Sequence, residues 1–212
     1  MTSTESIAWW AVLGTASGGA FGLVTRRLLL TRSFGWSAWA TAAALTGLLF
    51  AALAWRIGQH HALLPFSYLA AALVPLAVVD LAEHRLPSAL ILPSYPILGA
   101  GFTAVAVLEP HHANLARALL GMAILAATYF ALALCTGGLG AGDIKLAGLL
   151  GLALGWCGWS AILAGTLLGW LLAAVARLVL RGTHRIPRHA PMPLGPYLAL
   201  GAMAAVISTS LG

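Results

Sequence analysis

Residues 62–81 read ALLPFSYLAAALVPLAVVDL, an almost unbroken apolar run in which the single charged residue, Asp80, comes near the end. A helix needs about 20 mainly apolar residues to cross the hydrocarbon core of a bilayer. The run therefore predicts a membrane-spanning helix. Its aspartate is of special interest, because an ionised carboxylate at membrane depth is costly unless it is paired, hydrated or functional.

The rest of the chain has the same apolar character. Hydrophobic residues make up 61% of the 212 residues, and charged residues make up 8%, against about 25% in a typical soluble domain. These figures exclude a soluble globular protein, a disordered chain and a secreted disulfide scaffold. The two cysteines, Cys135 and Cys157, lie in apolar stretches and are predicted to be buried small hydrophobes, not metal ligands or a disulfide.

Hydropathy predicts an all-α polytopic bundle with eight membrane spans. The predicted spans are 7–24, 36–55, 62–81, 88–108, 116–135, 143–156, 159–180 and 192–211. The alternative is seven spans, with 144–156 as a re-entrant or half-length segment. No linker or repeat divides the chain, so residues 1–212 are predicted to form a single domain.

The basic residues predict the orientation of the bundle. The first apolar run follows Glu5, and no basic residue precedes Arg26, so it is interpreted as an uncleaved helix with its N-terminus outside. With eight spans, the outside loops hold only Arg56 and Arg117. The inside loops hold nine basic residues: Arg26, Arg27, Arg32, Arg85, Lys145, Arg177, Arg181, Arg185 and Arg188. Cytoplasmic loops retain Lys and Arg, so the net charge of +6 reports topology and does not indicate nucleic-acid binding.

Several kinds of catalytic site have no support in the sequence. The chain has no Gly-x-Ser-x-Gly turn, no His-Glu-x-x-His and no phosphate-binding glycine motif. The pairs His60-His61 and His111-His112 fall in predicted outside loops, without nearby carboxylates, and are interpreted as solvated histidines. Serine, zinc and nucleotide chemistry are therefore unsupported.

The two aspartates of the chain, Asp80 and Asp143, both fall at predicted cytoplasmic ends of membrane segments. Two carboxyl groups that meet across a bundle cannot both ionise easily, so one holds a proton while the other is charged. An aspartic protease needs this arrangement. The charged member takes a proton from water, and the protonated member polarises the peptide carbonyl. Such a pair titrates as a unit and uses neither a metal nor a cofactor.

Each feature also has a purely structural interpretation. Asp143 follows a glycine-rich segment, residues 137–142, whose glycines permit close backbone approach and unusual backbone angles. Asp143 also stands where a helix N-cap is expected, and capping alone would explain it. Asp80 could form a salt bridge with Arg85 or His84. Taken together, these interpretations leave unexplained why the only two aspartates share one membrane face.

At these residues the sequence resembles the type IV prepilin peptidases, the GxGD class of intramembrane aspartic proteases. That family has an aspartate at a helix end, followed seven residues later by the Pro of a Leu/Ile-Pro pair, as in Asp80 and Pro87. Its Gly-x-Gly-Asp-x-Lys signature is matched by GAGDIK at 140–145. A looser element, a Pro-Phe-Gly-Pro-like start of the last helix, resembles PLGP at 193–196.

The resemblance implies that Asp80 and Asp143 are the catalytic pair. It implies a short basic leader, cut after a glycine from pilin or pseudopilin precursors, at the cytoplasmic face of the bacterial inner membrane. It leaves supporting roles for Gly140, Gly142, Lys145, Arg85 and Pro87. Lys145 and Arg85 are expected either to hold the helix-loop geometry or to contact an acidic substrate residue. Glu83 and His84 are expected to be solvated loop residues.

The sequence departs from the longer members of this family. Those have a cysteine-rich cytoplasmic domain between the first two helices and also N-methylate the new terminus. Here that segment is short and has no cysteine, so the chain resembles the peptidase-only form, methyltransferase activity is in doubt and no zinc is predicted. Ser88 stands where many relatives have Asp or Asn, a change that a loop or cap position tolerates.

Two other classes of function are weighed against the peptidase. Intramembrane carboxylates also occur in proton-coupled transporters, although no charged residue marks the middle of a predicted span here. A non-enzymatic membrane assembly subunit would explain the Ala- and Gly-rich helices, which pack closely through small residues. Neither alternative explains why the two aspartates coincide with two motifs of one family.

Overall fold

The computed structural model describes residues 3–29, 35–109, 112–183 and 193–209. Eight helices make up this part of the chain, and no strand occurs in it. They are α1 Ser3–Leu28, α2 Trp36–Ile57, α3 Leu63–Glu83, α4 Ser88–Leu108, α5 His112–Thr136, α6 Ala141–Cys157, α7 Trp159–Gly182 and α8 Gly195–Ser208. The prediction of an all-α bundle of eight helices is confirmed.

Six of these helices, α1 to α5 and α7, are long and apolar enough to cross a membrane by length and composition. The other two are shorter, with 17 residues in α6 and 14 in α8. At 1.5 Å per residue they extend about 25 Å and about 21 Å, against a hydrocarbon core of about 30 Å. The last helix begins at Gly195 and ends at Ser208, well within the predicted span 192–211.

Helix α3 lies at the centre of the bundle. Burial reaches 78% of the residues in its most apolar stretch, against 17–39% for the other five long helices. It contacts α1, α2, α4 and α8, while α6 packs between α4, α5, α7 and α8. The end of α3 and the starts of α6 and α8 therefore lie together at one end of the bundle.

The prediction that both cysteines are buried is only partly correct. Both are free, but Cys135 is exposed on the outer surface of α5, whereas Cys157, at the end of α6, is half-buried. The prediction of a buried Cys135 is wrong. Apolar sequence around a residue cannot distinguish a side that faces lipid from one that faces the bundle, because both environments favour the same side chains.

Candidate active site

Asp80 lies in the last turn of α3 and is only 4% exposed. Its Oδ2 atom accepts a hydrogen bond of 2.9 Å from the backbone N–H of Gly195, the first residue of α8. The N–H groups at a helix start have no partner within the helix, and the positive end of the helix dipole attracts negative charge. The end of α3 is thus joined to the start of α8 by the carboxylate of Asp80.

Glycine is required at position 195 for this contact. A Cβ atom built there would lie 2.8 Å from Asp80 Oδ2 and 3.2 Å from Leu86 Cδ2. Pro196 follows in the first turn of α8, where its missing N–H costs no hydrogen bond. The Gly-Pro pair therefore begins the helix and leaves one free N–H beside a carboxylate.

Asp143 lies in the first turn of α6 and is half-buried. The N-cap residue of this helix is Gly140, so the expectation that Asp143 occupies the N-cap is wrong. Asp143 is instead the third residue of the helix, and its Oδ2 accepts a hydrogen bond of 3.2 Å from the Gly140 N–H. This is one half of a capping box, in which a carboxylate reaches back to the N-cap.

The two aspartates lie at the same end of the bundle, in segments that contact one shared side chain. Leu86, in the loop between α3 and α4, connects their surroundings. Its Cβ is 2.7 Å from the position a Cβ would take at Gly142, and its Cδ2 approaches Gly195. One apolar side chain therefore lies between the turn that carries Asp143 and the helix start that holds Asp80.

The four glycines before Asp143 are not equivalent. Gly142 allows the close approach of Leu86, and Gly137 has a positive φ of 63° that favours glycine. Gly138 and Gly140 have no such requirement, since a Cβ at either would meet its nearest neighbours at 3.5 Å or more. The expectation of close approach holds at Gly142, and that of unusual backbone angles holds at Gly137.

Arg85 binds structural partners. Its Nε lies 2.5 Å from Glu83 Oε2, and its Nη2 donates to the carbonyl oxygen of Leu28 at the end of α1. The Glu83 side chain is only 5% exposed, so the expectation of a solvated Glu83 is wrong. A bridge between Asp80 and Arg85 does not form among the described residues. Arg85 therefore joins the loop after α3 to α1, where it satisfies a terminal carbonyl.

Lys145 points to the start of α4. Its Nζ donates a hydrogen bond of 2.8 Å to Ser88 Oγ, and its carbonyl oxygen accepts one of 2.6 Å from the Tyr95 hydroxyl. The buried Pro87 is the N-cap of α4, and its carbonyl accepts the first bonds of that helix. These contacts hold α4 against the first two turns of α6.

Metal ligation has no support in the described part of the chain, where no three His, Cys, Asp or Glu side chains converge. At the opposite end of the bundle, His60 Nδ1 lies 3.9 Å from Glu109 Oε1, so the expectation that His60 has no carboxylate nearby is wrong. The side chains of His111 and His112 lie outside the described residues, as do Arg32, Arg185 and Arg188.

Gly195 and Ser88 are the site residues to which the sequence alone assigned no role. Both stood inside motifs, Gly195 in PLGP and Ser88 next to Pro87. Their binding partners could not be identified from the sequence. Gly195 is 115 residues from Asp80, and Ser88 is 57 residues from Lys145. No local pattern pairs residues that far apart.

Comparison with known proteins identifies the family of this chain. The model of the type IV leader peptidase family matches residues 67–180, which include both aspartates. The chain belongs to the type IV leader peptidase family. Together with its six long apolar helices, this makes it a multi-pass membrane protein of that family.

Similar proteins carry the name prepilin leader peptidase/N-methyltransferase. One from Pseudomonas putida is 33% identical over 162 residues, which are 76% of this chain and 55% of that protein. One from Aeromonas hydrophila is 34% identical over 176 residues, 77% of this chain and 56% of that protein. One from Bacillus subtilis (strain 168) is 31% identical over 164 residues, 77% of this chain and 63% of that protein.

The chain thus spans a little over half the length of the first of these leader peptidase relatives. No solved structure matches it significantly. The family match ends before α8, so Gly195 and its bond to Asp80 lie outside the matched region.

Proposed function

We propose that this protein is an intramembrane aspartic endopeptidase that removes the leader from type IV pilin-like precursors. The observation that supports the proposal is the position of Asp80 and Asp143, from two separate motifs, in segments that both contact Leu86 at one end of the bundle. Both carboxylates are wholly or partly buried, and both accept a backbone N–H from a glycine. Membership of the leader peptidase family supports the same activity.

In this mechanism the dyad activates water directly. One carboxylate takes a proton from the attacking water, while the other, protonated, donates a hydrogen bond to the carbonyl of the scissile peptide bond. Each aspartate keeps one oxygen for its glycine N–H, which leaves its second oxygen for water or substrate. The backbone bonds orient the two carboxyl groups before substrate arrives.

We further propose that the aspartates face the cytoplasm. The described basic residues at the aspartate end of the bundle are Arg26, Arg27, Arg85, Lys145, Arg177 and Arg181, whereas only Arg56 and Arg117 lie at the other end. This bias follows the positive-inside rule and leaves the N-terminus outside. The protein would then lie in the bacterial inner membrane.

The substrate class follows from the relatives. Their names state action on prepilin leaders, so we propose pilin or pseudopilin precursors with a basic leader at the cytoplasmic face. The proposal covers peptidase activity alone. Residues 29–35, which separate α1 from α2, contain no cysteine, whereas the longer members that the sequence resembles have a cysteine-rich domain there.

Asparagine at either aspartate tests the proposal. Asp80→Asn and Asp143→Asn keep the side-chain shape but remove the carboxylate, so each should lower the rate of prepilin processing by about a thousandfold or more. The measurement is the ratio of precursor to mature pilin, by gel shift and mass spectrometry, after co-expression with candidate prepilins.

Glu109→Gln provides the matched control, since it removes a carboxylate at the opposite end of the bundle. It should process prepilin at the wild-type rate. Membrane fractionation shows whether every variant is inserted. Full processing by either aspartate variant would contradict the proposed function.

A further inference from the structure

The loop from residue 84 to residue 87 joins α3 to α4 and begins four residues after Asp80. Most of its side chains already have protein partners. Arg85 binds Glu83 and the end of α1, Leu86 packs between Gly142 and Gly195, and Pro87 is buried. His84 differs from its neighbours, because its side chain is exposed and makes no hydrogen bond or ion pair within the described residues.

The backbone of His84 is in an unusual conformation. With φ 51° and ψ 40° it is left-handed, and it is the one residue other than glycine with a positive φ in the part of the chain the structure describes. Its N–H donates a hydrogen bond of 2.9 Å to the carbonyl oxygen of Asp80 and so ends α3. Helices commonly end in this conformation, and glycine is the residue that adopts it without strain.

The helix end thus accounts for the backbone of His84, whereas its side chain has no hydrogen-bond or ion-pair partner among the described residues. Glycine would end the helix with less strain than histidine. Left-handed residues other than glycine concentrate at functional sites, where the surrounding structure holds them. The bond from its N–H to the carbonyl oxygen of Asp80 also holds His84 next to the turn that carries this aspartate.

His84 lies where the chain leaves the last turn of α3, the turn that carries Asp80. Asp80 is 4% exposed and its Oδ2 is bound by Gly195, so its other carboxyl oxygen is the one left for a substrate, and the exposed His84 lies four residues further along the chain. A peptide that enters in extended form carries carbonyl groups with no partner of their own. An imidazole donates a hydrogen bond in both its neutral and its protonated form.

We propose that His84 is a substrate-contacting residue, whose imidazole donates a hydrogen bond to a backbone carbonyl beside the scissile peptide bond. This inference rests on the proposed function and adds a residue that determines substrate binding. The bond holds the cleavage-site segment over Asp80. It acts on the peptide backbone and so serves any precursor whose cleavage site enters extended.

Glycine and asparagine at position 84 separate this role from a structural one. His84→Gly removes the imidazole and relieves the backbone, so the Tm should stay the same or rise. The kcat/KM for a purified prepilin should nevertheless fall about tenfold, mostly through KM, the loss that one hydrogen bond accounts for. His84→Asn tolerates the left-handed backbone and offers an amide donor, so its kcat/KM should lie between those of wild type and glycine.

A binding measurement completes the test. In an Asp143→Asn background, adding His84→Gly should weaken the binding of a fluorescent prepilin peptide in detergent about tenfold. His61→Ala, an exposed histidine at the opposite end of the bundle, should change neither kcat/KM nor binding. Unchanged kcat/KM in His84→Gly, or a loss accompanied by a lower Tm, overturns this inference alone. No prepilin cleavage by the wild-type protein overturns the proposed function, and this inference with it.

Discussion

Leu86 has no reactive group, yet it contacts both segments that hold the aspartates. Its Cβ packs on Gly142, the residue before Asp143. Its Cδ2 packs on Gly195, whose N–H binds Asp80. The spacing from Asp80 to Pro87 explains how it gets there. The last turn of α3 ends at Glu83, the chain reverses through His84 and Arg85, and Pro87 begins α4, which leaves Leu86 facing inward.

Alanine at Gly142 should be damaging. The added Cβ would lie 2.7 Å from Leu86 Cβ and 3.4 Å from Leu86 O, so the loop after α3 or the start of α6 must move. Overpacking of this kind costs about 1–3 kcal/mol, and here it would also displace Asp143 relative to Asp80. We expect a lower Tm in detergent and prepilin processing reduced at least about tenfold.

Gly138→Ala is the matched control for this substitution, because it changes a glycine of the same segment. A Cβ at Gly138 has no neighbour closer than 3.9 Å, and its φ is not positive. It should leave both Tm and processing close to wild type. Equal damage by the two alanines would show that the segment needs flexibility throughout, and that the contact with Leu86 is not the reason for Gly142.

In the two short helices, arginine side chains supply hydrogen-bond donors to the last backbone carbonyl groups. Arg117 donates from Nε to the carbonyl oxygen of Gly155 and from Nη2 to that of Trp156, both at 2.8 Å, at the end of α6. Arg56 donates to the carbonyls of Ile207 and Ser208 at the end of α8. Without these bonds, the terminal carbonyls of helices shorter than the hydrocarbon core would lack partners.

This role accounts for the two described basic residues at the end of the bundle opposite the aspartates. In the proposed orientation neither Arg56 nor Arg117 follows the positive-inside rule, and each caps a short helix at that end. A guanidinium suits the task because its planar fork reaches two carbonyls at once. Arg56 and Arg117 therefore have a structural role, which is to bind the last carbonyl groups of α8 and α6.

Removal of the α6 cap should destabilise the protein. Arg117→Met keeps most of the apolar stem but leaves the carbonyls of Gly155 and Trp156 without their donor, which should cost about 1–3 kcal/mol in the free energy of unfolding. The measurement is unfolding by SDS titration in mixed micelles. Arg27→Met, an exposed arginine on α1, is the control and should change stability little. A stable Arg117→Met would contradict the capping role.

At the scale of the whole molecule, glycines set how closely the helices pack. A Cβ at Gly151 of α6 would lie 2.3 Å from the carbonyl oxygen of Gly121 of α5, and one at Gly201 of α8 would lie 2.5 Å from that of Gly165 of α7. Lipid tails are as apolar as the helix surfaces, so close packing through small residues supplies the association that hydrophobicity cannot. Asp143 and Gly195 are each carried on a tightly packed helix pair.

The proposed orientation of the bundle predicts which loops a reagent can reach. In a variant whose cysteines are replaced by serine, Gln59→Cys lies in the loop between α2 and α3, and Gly138→Cys lies between α5 and α6. A membrane-impermeant maleimide should label position 59 in spheroplasts, and position 138 only after the membrane is permeabilised. The reverse labelling pattern would place the aspartates outside the cell.

The number of helices and the position of the aspartates could be predicted from the sequence. Apolar length and loop charge are local properties, and they decide spans without reference to any partner. The motifs around Asp80 and Asp143 are local as well, so both residues could be singled out before their contacts were known. The N-cap assignment failed by three residues, because the helix that Asp143 joins begins at Ala141, after Gly140.

The partners could not be predicted in this way. The bond from Gly195 to Asp80, the bond from Lys145 to Ser88 and the arginine caps each join residues far apart in sequence, and they depend on which helix faces meet. In a membrane, lipid-facing and buried faces are equally apolar, so hydropathy carries no information about which face packs. The sequence by itself therefore determined a membrane bundle with two aspartates on one side, and only the tertiary structure decided what holds each of them there.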